Sequence, residues 1–155
     1  MAVEVDQSGR VEDLSTGTAV AFSNDESGAV FVSAGVKRRL IVYLRKKSLI
    51  PVKDVPAVFF SILLFVLIEK RKISILNIDE EYTGKNAIIV ETIEKLFVRE
   101  RIKRVPNVRF MRIGKLSPAH VLAWRIHRSK GRSTLARKVS EQEILKFIQG
   151  EEKAK

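Results

Sequence analysis

The chain has no cysteine, so disulfides and thiolate metal sites are excluded. Histidine and tryptophan are nearly as scarce, with two of the first and one of the second. Imidazole chemistry therefore falls on His120 or His127, and indole chemistry on Trp124 alone. Four prolines serve 155 residues. No apolar run is long: Val55 to Ile68 spans 14 residues and contains Pro56 and Ser61. A bilayer span needs about 20, so this segment reads as a buried helix. The opening MAVEVDQSGR lacks the basic-then-apolar layout of a signal peptide, and the expected location is the cytoplasm. Catalytic signatures are missing as well. No GxxxxGK[ST], GxGxxG, GxSxG or HExxH occurs.

Negative charge is in deficit. Lys and Arg total 29 against 18 acidic residues, a formal net charge of +11 with a pI near 10.1. Such a field concentrates polyanions and speeds their encounter. Nucleic acid, an anionic membrane surface and an acidic protein all meet that description. A membrane-surface helix wants aromatics on its apolar face, and the basic stretch 36–47 offers only Tyr43. Nucleic acid, DNA or RNA, is the expected partner, with no membrane role and with a homodimer left open. Hydrophobic residues make up 45% and charged residues 30%, the balance of one globular domain. The domain is expected over 1–150, with 151–155 fraying. Three Gln, four Asn and many Ile, Val, Lys, Arg and Glu resemble heat-adapted compositions.

Ala2 to Asp6 alternates apolar Val3 and Val5 with acidic Glu4 and Asp6, a strand pattern. Thr18 to Phe22 and Ala29 to Ser33 read as two more strands, joined by the turn-rich Asn24–Gly28. Val36, Leu40 and Leu44 recur every four residues among basic ones, which predicts an amphipathic helix. Pro51 and Pro56 precede the apolar helix at 57–69. Lys72 to Ile78 reads as a strand covered on both faces. The spacing of Ile88, Ile89, Thr92, Ile93, Leu96 and Phe97 predicts a helix over 85–103. Pro106 to Ile113 reads as a strand. Ser117–Pro118 then starts a helix running to about Ser129, which Lys130–Gly131–Arg132 ends. Ser140 and Glu143 predict a capping box for a last short helix. The sum is an α/β domain: a mixed five-stranded sheet, three antiparallel strands followed by parallel ones, flanked by helices.

Asp6 falls at the carboxyl end of the first strand, and Asp79 and Glu81 at that of the fourth. On adjacent strands they meet at the crevice where an open α/β sheet changes winding direction. Crowded carboxylates repel, and a divalent cation relieves the repulsion. Hard oxygen ligands suit Mg²⁺ or Mn²⁺. An Asp before a turn is also an ordinary cap. His120 lies in the first turn of its helix, whose positive end favours a neutral ring able to bind metal or accept a proton. It also suits simple packing under Trp124. His127, about 10 Å further along the axis, is expected at the surface or facing phosphate. Lys115, Arg125, Arg128, Lys130 and Arg132, with Arg137 and Lys138 beyond, supply sequence-independent grip on a phosphate backbone.

This layout resembles the ribonuclease H-like superfamily, which includes ribonucleases H, Holliday-junction resolvases and pre-ribosomal-RNA nucleases. The family's catalytic Asp on the first strand is matched by Val5–Asp6–Gln7–Ser8–Gly9. Its second acid is matched by Ile78–Asp79–Glu80–Glu81–Tyr82, and a third ligand on the final core helix by Ser117–Pro118–Ala119–His120. The resemblance covers roughly residues 1–130. It implies a two-metal nuclease in which Asp6 bridges both ions, about 3.5–4 Å apart, while Asp79 or Glu81 and His120 complete the shells. Two features depart from the family. Residues 36–69 hold two helices where one is usual, and the last core helix has no acid, so His120 must complete the site. A non-catalytic nucleic-acid-binding module of the same fold is the competing expectation. An actin-like kinase is set aside, since it needs two such domains.

Overall fold

The structure, a computed structural model, describes residues 1–47 and 50–153. Six strands form one sheet: β1 (Ala2–Ser8), β2 (Thr18–Ser23), β3 (Ser27–Val32), β4 (Ile75–Asp79), β5 (Asn107–Met111) and β6 (Ala136–Lys138). Their order is β5-β4-β1-β2-β3-β6. β1–β2 and β2–β3 pair antiparallel; β1–β4, β4–β5 and β3–β6 pair parallel. Among the described residues, five α-helices pack on it: α1 (Ala34–Lys47), α2 (Val55–Ile68), α3 (Asn86–Arg99), α4 (Pro118–Arg128) and α5 (Glu141–Lys153), with a short 3-10 turn at Val52–Asp54 before α2. No helix among the described residues is long and apolar enough to cross a membrane.

The period-2 alternation of β2 and β3 builds two cores. Val20, Phe22, Val30 and Val32 point to one face and join α1, α2, α3 and α5 in the main core. Ala19, Ala21, Ala29 and Phe31 point to the other and meet Ala123 and Ile126 of α4. The small alanines let α4 sit close to the sheet. α2 has 12 buried residues among 14 and so reads apolar all round. Its Phe65 is fully buried, edge-on to Phe97 and Phe147 with ring centroids 5.1 and 5.2 Å away.

The structure corrects several expectations. The sheet has six strands, because Ala136–Lys138 runs along the free edge of β3. Its Ala-Arg-Lys carries no strand pattern; docking makes it a strand, and Val139 N–H then donates to Phe31 O at 2.9 Å. β4 is covered on one face only, with Leu76 and Ile78 buried and Ile75, Asn77 and Asp79 half-buried. The inner stripe of α1 is Lys37, Leu40, Ile41 and Leu44, and Val36 is only half-buried. α3 stops at Arg99, four residues early. Arg101 takes φ 58°, its N–H bonds Val98 O and the Ile102 N–H bonds Phe97 O, the paired closure that ends a helix with a left-handed residue. α4 ends the same way at Lys130 (φ 56°), followed by Gly131. α5 spans 13 residues and reaches Lys153, so it is not short. Of the segment expected to fray, 154–155 lie outside the described residues.

Candidate metal centre

β1 lies mid-sheet, parallel to β4, with Val5 opposite Ile78. One step further along that register, Asp6 comes beside Asp79, which itself pairs with Met111 of β5. Glu81 arrives from the turn after β4. Asp6, Asp79 and Glu81 offer ligand oxygens that all lie within 4.8 Å of one another, a group that could hold a metal ion. The sequence expectation that these acids converge is met. His120 is not among that trio. It approaches Asp6 from α4.

Each carboxylate is positioned by a protein partner. Asp6 is buried; Oδ1 accepts the Gln7 backbone N–H at 2.8 Å, and Oδ2 lies 2.6 Å from His120 Nδ1. With the carboxylate as acceptor, Nδ1 carries the hydrogen, and Nε2 of a neutral ring keeps its lone pair. Asp79 Oδ1 accepts the Ile113 N–H at 2.7 Å. Glu81 Oε2 accepts Gln7 Nε2–H at 2.7 Å, and the Tyr82 hydroxyl lies 3.1 Å from both amide atoms of Gln7. Arg10 reaches Glu81 Oε2 at only 4.0 Å and makes its closer ion pair with Glu12 at 2.8 Å.

Burial pushes the Asp6 carboxyl above its ordinary value, and the Asp79 charge adds to this; the bonds from His120 and Gln7 oppose it. Burial raises Glu81 too, reinforced by Asp6 and Asp79 and opposed by the bond from Gln7 and by Arg10. Three acids in partial burial repel one another, and the one guanidinium beside them, that of Arg10, is 4.0 Å from Glu81 Oε2 and donates to the Glu81 backbone carbonyl at 3.1 Å. A cation relieves that repulsion, and the all-oxygen donor set suits a hard one.

α4 runs alongside β1 and is pinned to it at three points. Ser117 Oγ–H donates to Glu4 Oε2 at 2.8 Å, His120 meets Asp6, and Ser8 Oγ lies 3.1 Å from His127 Nδ1. The spacings agree: Glu4, Asp6 and Ser8 are alternate residues of one strand face, about 13 Å end to end. Ser117 to His127 spans about 15 Å of helix. Ser117 also caps α4, accepting the Ala119 N–H. For His127, expected at the surface or facing phosphate, the structure adds two side-chain partners. Its ring is engaged on both nitrogens, by Ser8 and by Thr16 Oγ1 at 2.7 Å from Nε2. It clamps the segment after β1, with the ring half-buried. Gly9, at φ 77°, makes room: a Cβ there would stand 2.6 Å from His127 Nε2.

The expected backbone-gripping residues Lys115, Arg125, Arg128, Lys130 and Arg132 are all exposed. The guanidinium of Arg128 lies over the Trp124 ring, 5.1 Å from its centroid. Sequence reasoning missed Gln7, Arg10 and Tyr82. For Gln7 a signal was present: the alternation that turns Val3 and Val5 toward the main core turns Gln7 the same way, a polar residue on an apolar face. Comparison with models of known families, with curated proteins and with solved structures finds no match for this chain.

Proposed function

We propose that the protein is a Mg²⁺- or Mn²⁺-dependent nuclease of the ribonuclease H-like kind, acting on DNA or RNA. The observation that carries this reading is the juxtaposition of Asp6 and Asp79 on neighbouring parallel strands, with Glu81 completing a group of oxygens within 4.8 Å. The strand order, with β1 between an antiparallel meander and two parallel strands, supports it by agreeing with that superfamily's layout. Asp6, Asp79 and Glu81 would hold the ions. When bound, divalent ions supply an activated water and charge stabilisation for the leaving oxygen. His120 holds the Asp6 carboxylate in place through Nδ1 and offers Nε2 for a ligand bond or a proton. Lys115, Arg125, Arg128, Lys130 and Arg132 grip the backbone.

Titration calorimetry with Mn²⁺ on wild type and Asp6→Asn tests this, together with cleavage of single-stranded, duplex and branched DNA and RNA. Wild type should bind Mn²⁺ and cut; Asp6→Asn should lose both. Equal Mn²⁺ affinity in the two proteins overturns the reading. One observation favours a second reading, a non-catalytic nucleic-acid-binding module: every carboxylate of the trio already has a protein donor. That reading predicts binding without cleavage.

A further inference from the structure

α4 lies chiefly over β2, so the residues with which it reaches β1 mark the flank turned toward β4 and β5. Those residues are Ser117, His120 and His127. Trp124 stands four residues after His120 and three before His127, on the same flank. Beyond the half-buried Asn77 and Asp79 of β4, the outer strand on this face is exposed. Arg109 and Met111 of β5, opposite Asn77 and Asp79 in the register, are exposed on the side of the sheet that carries Asp6. His120, bonded to Asp6, ties this flank of α4 to the acidic trio, and Trp124 follows about 6 Å further along the helix. The indole is 47% exposed, unusual for a group whose burial is worth so much. Arg125 and Arg128 flank it, the latter's guanidinium 5.1 Å from the ring centroid.

We infer that Trp124 is a stacking platform for an unpaired base. The strand that this protein engages therefore carries unpaired nucleotides next to the acidic trio. The inference rests on the nucleic-acid reading above and deepens it. An exposed ring can stack only on a base whose face is free, and a continuous duplex keeps its base faces covered. Every base has such a face, so the contact is tolerant of sequence, and the neighbouring arginines hold the flanking phosphates. The indole also sits one helical turn from the residue bonded to Asp6, where an anchored base fixes the position of the adjoining phosphodiester.

Trp124 is the chain's only tryptophan, so its emission reports on this position alone. The experiment titrates the protein, in EDTA and at low salt, with 12-nucleotide oligothymidylate, 12-nucleotide oligouridylate and a 12-base-pair duplex. Tryptophan emission and the anisotropy of end-labelled strands are both followed. At least one single strand should quench Trp124 as it binds, and the duplex should bind without quenching. Trp124→Leu should weaken single-strand binding about tenfold and leave duplex binding unchanged, while Trp124→Phe retains most of the affinity. Strands that bind without quenching, and equally well to Trp124→Leu, overturn the platform alone. Duplex quenching as strong as that of the single strands overturns the preference for unpaired bases. Failure of all three probes to bind removes the nucleic-acid reading and the platform with it.

Discussion

Replacing Lys37 with methionine should abolish a rise in stability that the wild-type protein shows above pH 8. Lys37 is fully buried on the inner stripe of α1, where its ammonium donates to Arg10 O and to Thr18 Oγ1, both at 3.1 Å. Burial drives its pKa from 10.5 down to about 8, against the pull of Asp13 and Glu12. At about 1.4 kcal/mol per pH unit, that fall corresponds to about 3 kcal/mol set against the folded charged form. Below pH 8 the lysine is protonated in both native and unfolded chains, and the full penalty stands. Between pH 8 and 10.5 the unfolded chain keeps a proton that the native protein has shed, so native stability climbs with pH. Above 10.5 both forms are neutral and the penalty is gone. Urea unfolding of wild type and Lys37→Met at pH 7, 8, 9 and 10 reads this directly. The offset at pH 7 mixes the removed charge with two abandoned acceptors, so the discriminating quantity is the change in the difference. From pH 7 to 10 it should move by about 2–3 kcal/mol in favour of wild type. Tyr82, whose hydroxyl burial pushes well above its ordinary range, titrates alike in both proteins and cancels. A difference that stays constant with pH would refute the reasoning. The lysine matters to the site because it fixes the backbone of Arg10, whose side chain adjoins Glu81.

The two histidines should separate cleanly. His120→Ala should slow single-turnover cleavage about a hundredfold or more. His127→Ala should leave that rate intact and cost about 1–3 kcal/mol of unfolding free energy at pH 7.5. Because burial holds the His127 ring below its usual 6.5, wild type loses stability as pH falls through that value, and the cost of His127→Ala should shrink there. Nucleic-acid affinity, measured by anisotropy, should fall steeply as salt rises from 50 to 200 mM, by about a thousandfold if six phosphates are neutralised; a flat response would count against backbone grip. Phe65→Ala should cost about 3–5 kcal/mol in urea melts, since the ring is fully buried and edge-on to Phe97 and Phe147; a loss under 1 kcal/mol would mean that this core collapses to refill the space.

The strands and helices of the main body were legible because their hydrophobic spacing obeys the periods of the elements they form. Asp6, Asp79 and Glu81 were legible as acids near strand ends, although β1 runs two residues past Asp6 to Ser8; that β1 and β4 are neighbours was a condition of that reading, which their parallel pairing meets. β6 was not legible, since its three residues have no apolar face and are a strand only by docking on β3. Lys37 hid among the basic residues of α1, although it stands three, four and seven positions from Leu40, Ile41 and Leu44; a lysine in that stripe reads as surface until its acceptors are seen. The role of His127 was equally hidden. Its partners Ser8 and Thr16 are more than 100 residues away in sequence, and no local pattern announces such a clamp.

The three pins between α4 and β1 restrict how this chain can change in length. One residue inserted between Ser117 and His127 would turn the rest of the helix by about 100° and advance it by about 1.5 Å. At least one pin would then be withdrawn from its strand partner. An inserted residue between His120 and His127 would leave Asp6 its imidazole and unclamp the segment after β1; one between Ser117 and His120 would strip Asp6 directly. Beyond Gly131, which is buried against Phe31, a longer turn by contrast meets no pin to β1 before the chain reaches the edge of β3. Insertions and deletions in related sequences should therefore avoid 117–127 and gather in 132–135.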